Sequence, residues 1–353
     1  MAIFSKPSDK SPLRIKFFGV KPPDEKYLKD RMAVAKIAAE TEFSSDLIGP
    51  DNLPPVSNVE IISVFVDGIL DEKVLGQFPN LKCIAVRSTG YDNIDLSATA
   101  KRGVKVLNVP AYGESTVAEF TFGLILALSR KICLASKQVK ETGSFNVTNL
   151  QGFDLKDKTL GVIGTGRIGR RVIHMAKGFE MKVIAYDVSP DNKFAKEEGF
   201  EYLPLDSLLA KSDIVTLHVP YIKETHHFID AKALSQIKKG AYLINTSRGA
   251  VVDTMALVNS LKSGQLAGAG LDVLEEEGVI KDELDFIASG HPEEHNLKTI
   301  LADHALIDME NVIVTPHNAF NTKEALERIL DTTVSNIESF VMGKPENLVI
   351  KNE

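Results

Sequence analysis

Gly164-Thr165-Gly166-Arg167-Ile168-Gly169 stands directly after an apolar run, Leu160-Gly161-Val162-Ile163, and opens a helical pattern. In that setting the three glycines have separate tasks. Gly164 permits a tight turn, Gly166 lets a pyrophosphate reach the backbone, and Gly169 lets helix and strand pack closely. The N–H groups at the helix start then face the phosphates, with Arg167 and Ile168 in the same turn. Arg167 can add a charge-assisted contact. The next apolar run, Lys182 to Tyr186, ends in Asp187, eighteen residues beyond Gly169. A carboxylate there accepts from a ribose 2′-hydroxyl and repels a 2′-phosphate, so NAD is expected over NADP.

Three later segments also close apolar runs: Asn245-Thr246-Ser247-Arg248-Gly249, Gly270-Leu271-Asp272-Val273 and Thr315-Pro316-His317-Asn318. In a doubly wound sheet ligands collect at the carboxyl ends of strands, which would bring Arg248, Asp272 and His317 together near the nicotinamide. Each has a plainer reading alone: Arg248 as a helix C-terminal cap, Asp272 as an N-terminal cap, His317 as a loop residue after proline. Together they suit one reaction. Hydride transfer between a 2-oxo acid and NADH needs a cation for the carboxylate and carbonyl oxygen, and a proton donor for the nascent alkoxide. Arginine meets a planar carboxylate with two N–H bonds. Histidine exchanges protons near neutral pH, and a neighbouring carboxylate favours its charged form.

The elements that must carry these residues alternate along the chain. Strand-like runs at Leu13–Val20, Glu60–Val66, Leu81–Ser88 and Val104–Val109 are separated by helical patterns, among them Asp24–Ala39 and Asn93–Arg102. A long helix is expected from Ser115 to Glu141, capped by the Ser115 and Thr116 hydroxyls. A second series of strands follows at Thr159–Ile163, Lys182–Tyr186, Ile214–Val219, Ala241–Thr246, Ala269–Val273 and Val312–Thr315, and a last helix at Thr322–Met342. The alternation predicts an α/β fold with parallel sheets. The stretch Glu275–Glu310 breaks it. With its acids and His291, His295 and His304 it reads as a solvated loop with polar helix turns, and no metal site is expected.

Composition bounds the answer further. In 353 residues, 41 Lys and Arg stand against 48 Asp and Glu, and this acidic balance argues against a broad nucleic-acid surface. Cys83 and Cys133 form no CxxC pair and read as buried hydrophobes, without a disulfide framework or zinc site. The first twelve residues lack an apolar signal core, and Phe120–Leu128 is too short to span a bilayer. A cytoplasmic protein with no membrane partner is expected.

In order, GTGRIG, Asp187, LHVP, NTSRG, GLDV, Glu277 and TPH resemble the D-isomer-specific 2-hydroxyacid dehydrogenases, over a span from about Leu13 to Val349. The resemblance implies two domains: a Rossmann-type, doubly wound NAD-binding domain at 114–318, and a smaller flavodoxin-like substrate domain formed by 1–113 and 319–353. It implies a catalytic triad of Arg248, Glu277 and His317. The residues themselves do not choose among Glu275, Glu276 and Glu277; the family register does. The resemblance also implies a carboxylate nest at Thr89 and Gly90, an adenine pocket along His218-Val219-Pro220, and nicotinamide-side contacts from Thr246 and Asp272. Phe17-Phe18, Asn108 to Tyr112 and His317 to Thr322 are most similar to the D-lactate dehydrogenase branch, with Tyr112, Phe320 and Phe65 walling the pocket. Asn321 departs from that branch, where an aromatic is usual. The implied activity is NAD-dependent reduction of a small 2-oxo acid such as pyruvate. The alternatives are glycerate, glyoxylate or bulky 2-oxo acids, or an NAD-sensing regulatory role. The long helix near residue 115 belongs to the family's dimer interface, so a homodimer is implied.

Overall fold

The structure, a computed structural model, describes residues 12–277 and 297–349. The chain divides into two compact units, Met1–Tyr112 with Thr322–Glu353, and Gly113–Asn321. Ala319, Phe320 and Asn321 therefore fall with the second unit, because Asp272 of that unit holds the N–H groups of Asn318 and Ala319, both at 2.8 Å.

The first unit is built on five parallel strands, β1 (Leu13–Phe17), β2 (Ala39–Phe43), β3 (Ile61–Val64), β4 (Cys83–Val86) and β5 (Lys105–Leu107), in the order β2-β1-β3-β4-β5. Its helices are α1 (Pro22–Val34), α2 (Glu72–Leu75), α3 (Leu96–Lys101) and, returning from the far end of the chain, α12 (Lys323–Val341). β3 and β4 are buried at every residue, which explains their continuous apolar sequence. β2 was hidden from the sequence, which carries the first helix to Ala39. The helix instead stops at Val34, where Lys36 takes a left-handed φ of 55°. The following Ala39-Glu40-Thr41-Glu42-Phe43 is an edge strand whose acids pair with Arg14 and Lys16 of β1, and charged edge strands have little apolar signature. Helix α12 is capped by the Thr322 hydroxyl, which accepts from Ala325 N–H at 3.2 Å. It buries Leu330, Val334 and Ile337 against Ile15, Phe17 and Leu28.

The second unit carries seven parallel strands, β6 (Thr159–Ile163), β7 (Lys182–Tyr186), β8 (Glu201–Tyr202), β9 (Ile214–Leu217), β10 (Ala241–Asn245), β11 (Leu266–Leu271) and β12 (Val312–Val314). Their order is β12-β11-β10-β9-β6-β7-β8. The order reverses at β6, which pairs with both β7 and β9. That switch point is where an open α/β sheet leaves a crevice at its carboxyl edge. Among the described residues its helices are α4 (Glu114–Ser129), α5 (Ile132–Thr142), α6 (Arg167–Gly178), α7 (Asn192–Glu198), α8 (Leu205–Lys211), α9 (Ala231–Gln236), α10 (Thr254–Lys262) and α11 (Leu297–Asp308). Phe122, Ile125, Val172 and Ile173 from α4 and α6 pack on one core, and Leu208, Leu234, Leu257 and Leu306 from α8 to α11 on another.

Four expectations are corrected. The single helix at 115–141 is two helices. The Ser129 carbonyl accepts from Phe153 N–H at 2.9 Å, close enough that a Cβ on Gly152 would strike that carbonyl, and Lys131 turns to φ 51°. Its start is Gly113 without a side-chain cap, rather than the Ser115 hydroxyl. Cys83 is buried, but Cys133 is exposed on α5, a helix with no buried residue. Within 275–310, residues 297–308 form α11, whose Ile300, Ala302 and Leu306 are core. His304 lies on this helix; His291 and His295 lie outside the described residues. Among the described residues no helix is long and apolar enough to cross a membrane.

Ile337 is fully buried, so Ile337→Ala should lower the stability of the first unit by about 2–5 kcal/mol, the usual cost of such a cavity. Urea unfolding followed by circular dichroism checks this; an unchanged midpoint would separate α12 from that core.

Candidate active site

The glycine turn has the geometry its sequence requires. Gly164 adopts φ 91°, and a Cβ there would come within 2.6 Å of the His218 carbonyl. A Cβ on Gly169 would collide with the Gly164 carbonyl, so the third glycine fixes how closely α6 meets β6. A Cβ on Gly166 would meet nothing within 4 Å. This open face lies at the N-cap of α6, whose first turn contains Arg167 and Ile168 and no acid. An amino-terminal helix end without acids is a seat for a pyrophosphate.

Asp187 follows β7 and binds back to this turn. Its Oδ2 accepts from Thr165 N–H at 2.7 Å and from the Thr165 hydroxyl at 2.9 Å, and its Oδ1 accepts from Ser189 N–H at 2.9 Å. Burial by itself would raise the carboxyl pKa. The bonds from Ser189 and Thr165 and the charge of Arg170 outweigh it and hold Asp187 below its ordinary value. Tyr202 lies 2.9 Å from the Thr165 hydroxyl, an arrangement without a sequence signal. On the other side of the switch point, His218 and Val219 pack against Gly164, and the Pro220 carbonyl accepts from the Thr225 hydroxyl at 2.7 Å. The His218 ring is enclosed, with Nε2 2.9 Å from Thr216 Oγ1, and burial pushes its pKa down to about 3. It is a neutral wall residue.

At the carboxyl ends of β10, β11 and β12 the remaining residues meet. His317 Nδ1 lies 2.7 Å from Glu277 Oε1. The histidine sits at φ 50°, a sparsely populated backbone region for a residue with a side chain. Its N–H is held by the carbonyls of Asp272 (2.8 Å) and Thr315 (2.9 Å). Asp272 is 1% exposed, and its carboxylate takes three donors: the Thr315 hydroxyl at 2.6 Å, Asn318 N–H and Ala319 N–H. Burial raises its pKa, and those bonds and the His317 charge only partly oppose the rise. Asp272 thus clamps the turn that presents His317, a task its sequence position does not reveal. The Phe320 ring stands edge-on to His317, centroids 6.5 Å apart.

Arg248 leaves β10 through a loop that Asn245 organises. Asn245 Nδ2 donates to the Arg248 carbonyl at 2.9 Å, and Asn245 Oδ1 accepts from the Ser247 N–H and hydroxyl. Thr246 is buried, its hydroxyl 3.1 Å from that of Thr121 on α4. Gly249 presses on the backbone of Leu274 and Glu275 so closely that no Cβ would fit. The loop bearing Arg248 and the turn bearing Glu277 are therefore in direct contact, which the sequence signals only as a glycine after the arginine.

In the first unit, Phe65, Thr89 and Tyr112 each follow a strand's carboxyl end. The Thr89 hydroxyl donates to the Val109 carbonyl at 2.7 Å, Asn108 Nδ2 donates to the Thr89 carbonyl at 2.8 Å, and the Ser88 hydroxyl donates to the Gly90 carbonyl at 2.6 Å. None of these bonds uses the N–H of Thr89 or Gly90, the donors a carboxylate would take. Phe65 and Tyr112 contribute carbonyls, to Asn93 and Arg328. Sequence reasoning missed Arg87. It is 4% exposed, donates to Ser63 Oγ and the Phe18 carbonyl, and has its pKa lowered to about 10 by burial. Among the described residues no cluster of His, Cys, Asp and Glu could hold a metal.

A Rossmann sheet with this glycine turn and terminal acid defines a dinucleotide-binding class of protein. Residues 122–319 match the family model for the D-isomer specific 2-hydroxyacid dehydrogenase, NAD binding domain. A glyoxylate reductase of Korarchaeum cryptofilum is 38% identical over 88% of this chain and 90% of its own length. An aromatic 2-oxoacid reductase of Clostridium sporogenes is 38% identical over 86% and 90%. The structure of a D-lactate dehydrogenase from Aquifex aeolicus, complexed with NAD and lactic acid, superposes with a TM-score of 0.81 at 38% identity, over 94% of this chain and 96% of that one. The chain belongs to the D-isomer specific 2-hydroxyacid dehydrogenase family, and its cofactor is NAD.

Beneath Glu275–Glu277, Asp303 of α11 is fully buried. Its Oδ2 accepts from Glu276 N–H at 3.1 Å, while Oδ1 finds no partner among the described residues. Burial, and then the charges of the three glutamates, raise its pKa to about 7. An acid raised in the fold is stabilising when protonated, so stability should fall as pH rises from about 4 to 7. Asp303→Asn should therefore gain stability relative to the parent over this window, by roughly 1–4 kcal/mol at pH 8. Melting temperatures at pH 5 and 8 decide it; an equal difference at both pH values would contradict the assignment.

Proposed function

We propose that the protein reduces a small 2-oxo acid, pyruvate foremost, to the D-2-hydroxy acid and catalyses the reverse reaction. The observation that carries this reading is the 2.7 Å contact between His317 Nδ1 and Glu277 Oε1. With Nδ1–H donated to the glutamate, Nε2 is the nitrogen that exchanges a proton with the substrate oxygen. Arg248 binds the substrate carboxylate with its planar fork and polarises the carbonyl. The Thr89 and Gly90 N–H groups bind a carboxylate oxygen, and the neighbouring Arg87, a buried cation, favours an anion. NADH, when bound, supplies the hydride. Gly164, Gly166, Arg167, Ile168 and Gly169 seat its pyrophosphate, Asp187 its adenosine ribose, His218, Val219 and Pro220 its adenine side, and Thr246 and Asp272 the nicotinamide end.

Support for a small substrate comes from Phe320 beside His317 and from the likeness to an enzyme named for D-lactate. The relatives named for glyoxylate and aromatic 2-oxo acids make those the competing substrates. NADH oxidation with glyoxylate, pyruvate and phenylpyruvate should rank pyruvate first. Phe320→Ala should shift the ranking toward phenylpyruvate if Phe320 limits the size of the substrate side chain. His317→Ala should lose on the order of 10²–10⁴ in rate while NADH still binds, and Arg248→Lys should also be severely impaired. Reduction consumes a proton, so its efficiency should fall with rising pH while oxidation rises. Near-normal turnover by His317→Ala would end this reading. NADH binding without turnover in the parent would favour an NAD sensor.

We also infer a homodimer working in the cytoplasm. Helix α5 has no buried residue, and near it Phe145 is 87% and Val147 77% exposed. A second copy is the natural cover for this apolar surface. Light scattering should give a dimer mass, and Phe145→Asp with Val147→Asp should shift it toward the monomer; a monomeric parent would refute the inference.

A further inference from the structure

We propose that His227 and Glu275 form a second histidine–carboxylate pair that positions Arg248 and Glu277 for the reaction, without touching the substrate. This rests on the roles proposed above for Arg248 and His317. His227 Nε2 lies 2.8 Å from Glu275 Oε1, and the other carboxylate oxygen accepts from the Thr254 hydroxyl at 2.8 Å. Glu275 stands two residues before Glu277. Two histidines from separate loops, after β9 and after β12, therefore land on alternate carboxylates of one short turn.

His227 holds the Arg248 loop as well. Its backbone N–H donates to the Ala250 carbonyl at 2.8 Å, two residues beyond Arg248, and Ile229 N–H donates to Val251 at 3.0 Å. The ring thus grips the Glu277 turn while the backbone grips the Arg248 turn, and Gly249 marks where the two turns touch. The histidine is itself constrained, at φ 48°, with the His226 ring stacked on it at 4.0 Å and Tyr221 Oη 3.3 Å from His226 Nδ1. A strained residue held by this many bonds marks a position where placement matters. Neither partner belongs to the proposed machinery. Their effect is through geometry, and a misplacement of about 1 Å can cost on the order of 10²-fold in rate.

The test measures steady-state pyruvate reduction and NADH affinity by fluorescence, in the intact protein. His227→Ala and Glu275→Ala should each lower kcat/KM by roughly 10–100-fold and raise the KM for pyruvate, with NADH affinity held within about twofold. Glu275→Gln retains an acceptor for His227 and should recover most of the loss. The decisive readout is background dependence: His227→Ala should add almost nothing once Arg248 and Glu277 are both already Ala, because a positioning residue then has nothing left to position. A full multiplicative loss in that background overturns the proposal, as does unchanged activity in His227→Ala. If alanine at 227 prevents folding, His227→Gln, which keeps a donor near Nε2, should outperform His227→Leu; equal activity of the two overturns it. Should Arg248→Ala alone retain turnover, the reading of the site fails and this inference falls with it. If Arg248→Ala is inactive and His227→Ala is not, only this inference falls.

Discussion

The buried carboxylate of Asp272 is the constraint on which the site depends. It sits at the end of β11 with almost no exposure, and three donors from the segment after β12 converge on it. A carboxylate removed from water is costly unless its lone pairs are filled. Here the donors are two backbone N–H groups and one hydroxyl, so the segment has little choice of path. It must turn at Pro316, place His317 in the left-handed region and aim the ring at Glu277. The strain at His317 is offset by the bonds to Asp272 on either side of it.

Close backbone approach is the second theme, and glycine is its instrument. Gly164 and Gly169 seal the turn above β6, and Gly249 sets the Arg248 loop directly on Leu274 and Glu275. In each case a methyl group would separate two segments that must touch. Gly166 differs, since a Cβ there would meet no protein atom. Its lack of a side chain is not required by internal packing. All four positions lie toward the carboxyl edge of one parallel sheet, three of them after β6, where the order of strands reverses and the backbone leaves room.

The electrostatics of the second unit follow from what is buried. Asp187 carries bonds enough to hold its pKa below the ordinary carboxylate value despite its burial. His218 is kept neutral by enclosure, and Asp303 is crowded by three glutamates above it. The acidic stretch at 275–277 is therefore an organised part of the site, with Glu275, Glu276 and Glu277 each taking a different contact.

Residue types and spacing determined much by themselves. The alternation of short apolar runs and longer helical patterns specified an α/β fold, because run length and flanking turn residues separate strands from crossover helices. The glycine turn with Asp187 specified a dinucleotide site, since each residue type there is demanded by one contact. Edge strand β2, the break at Ser129–Lys131 and the helix at 297–308 were hidden. Each is decided by partners far away: β1 for the strand, the Gly152–Phe153 segment for the break, and the apolar core for the helix. The same holds within the site. Nothing local distinguishes Glu275 from Glu277 in a run of three glutamates, and their separate contacts with His227 and His317 exist only because the loops after β9 and β12 converge on that turn. Sequence determines chemistry carried by neighbouring residues, and tertiary structure alone decides which of several identical side chains meets a partner forty or more positions away.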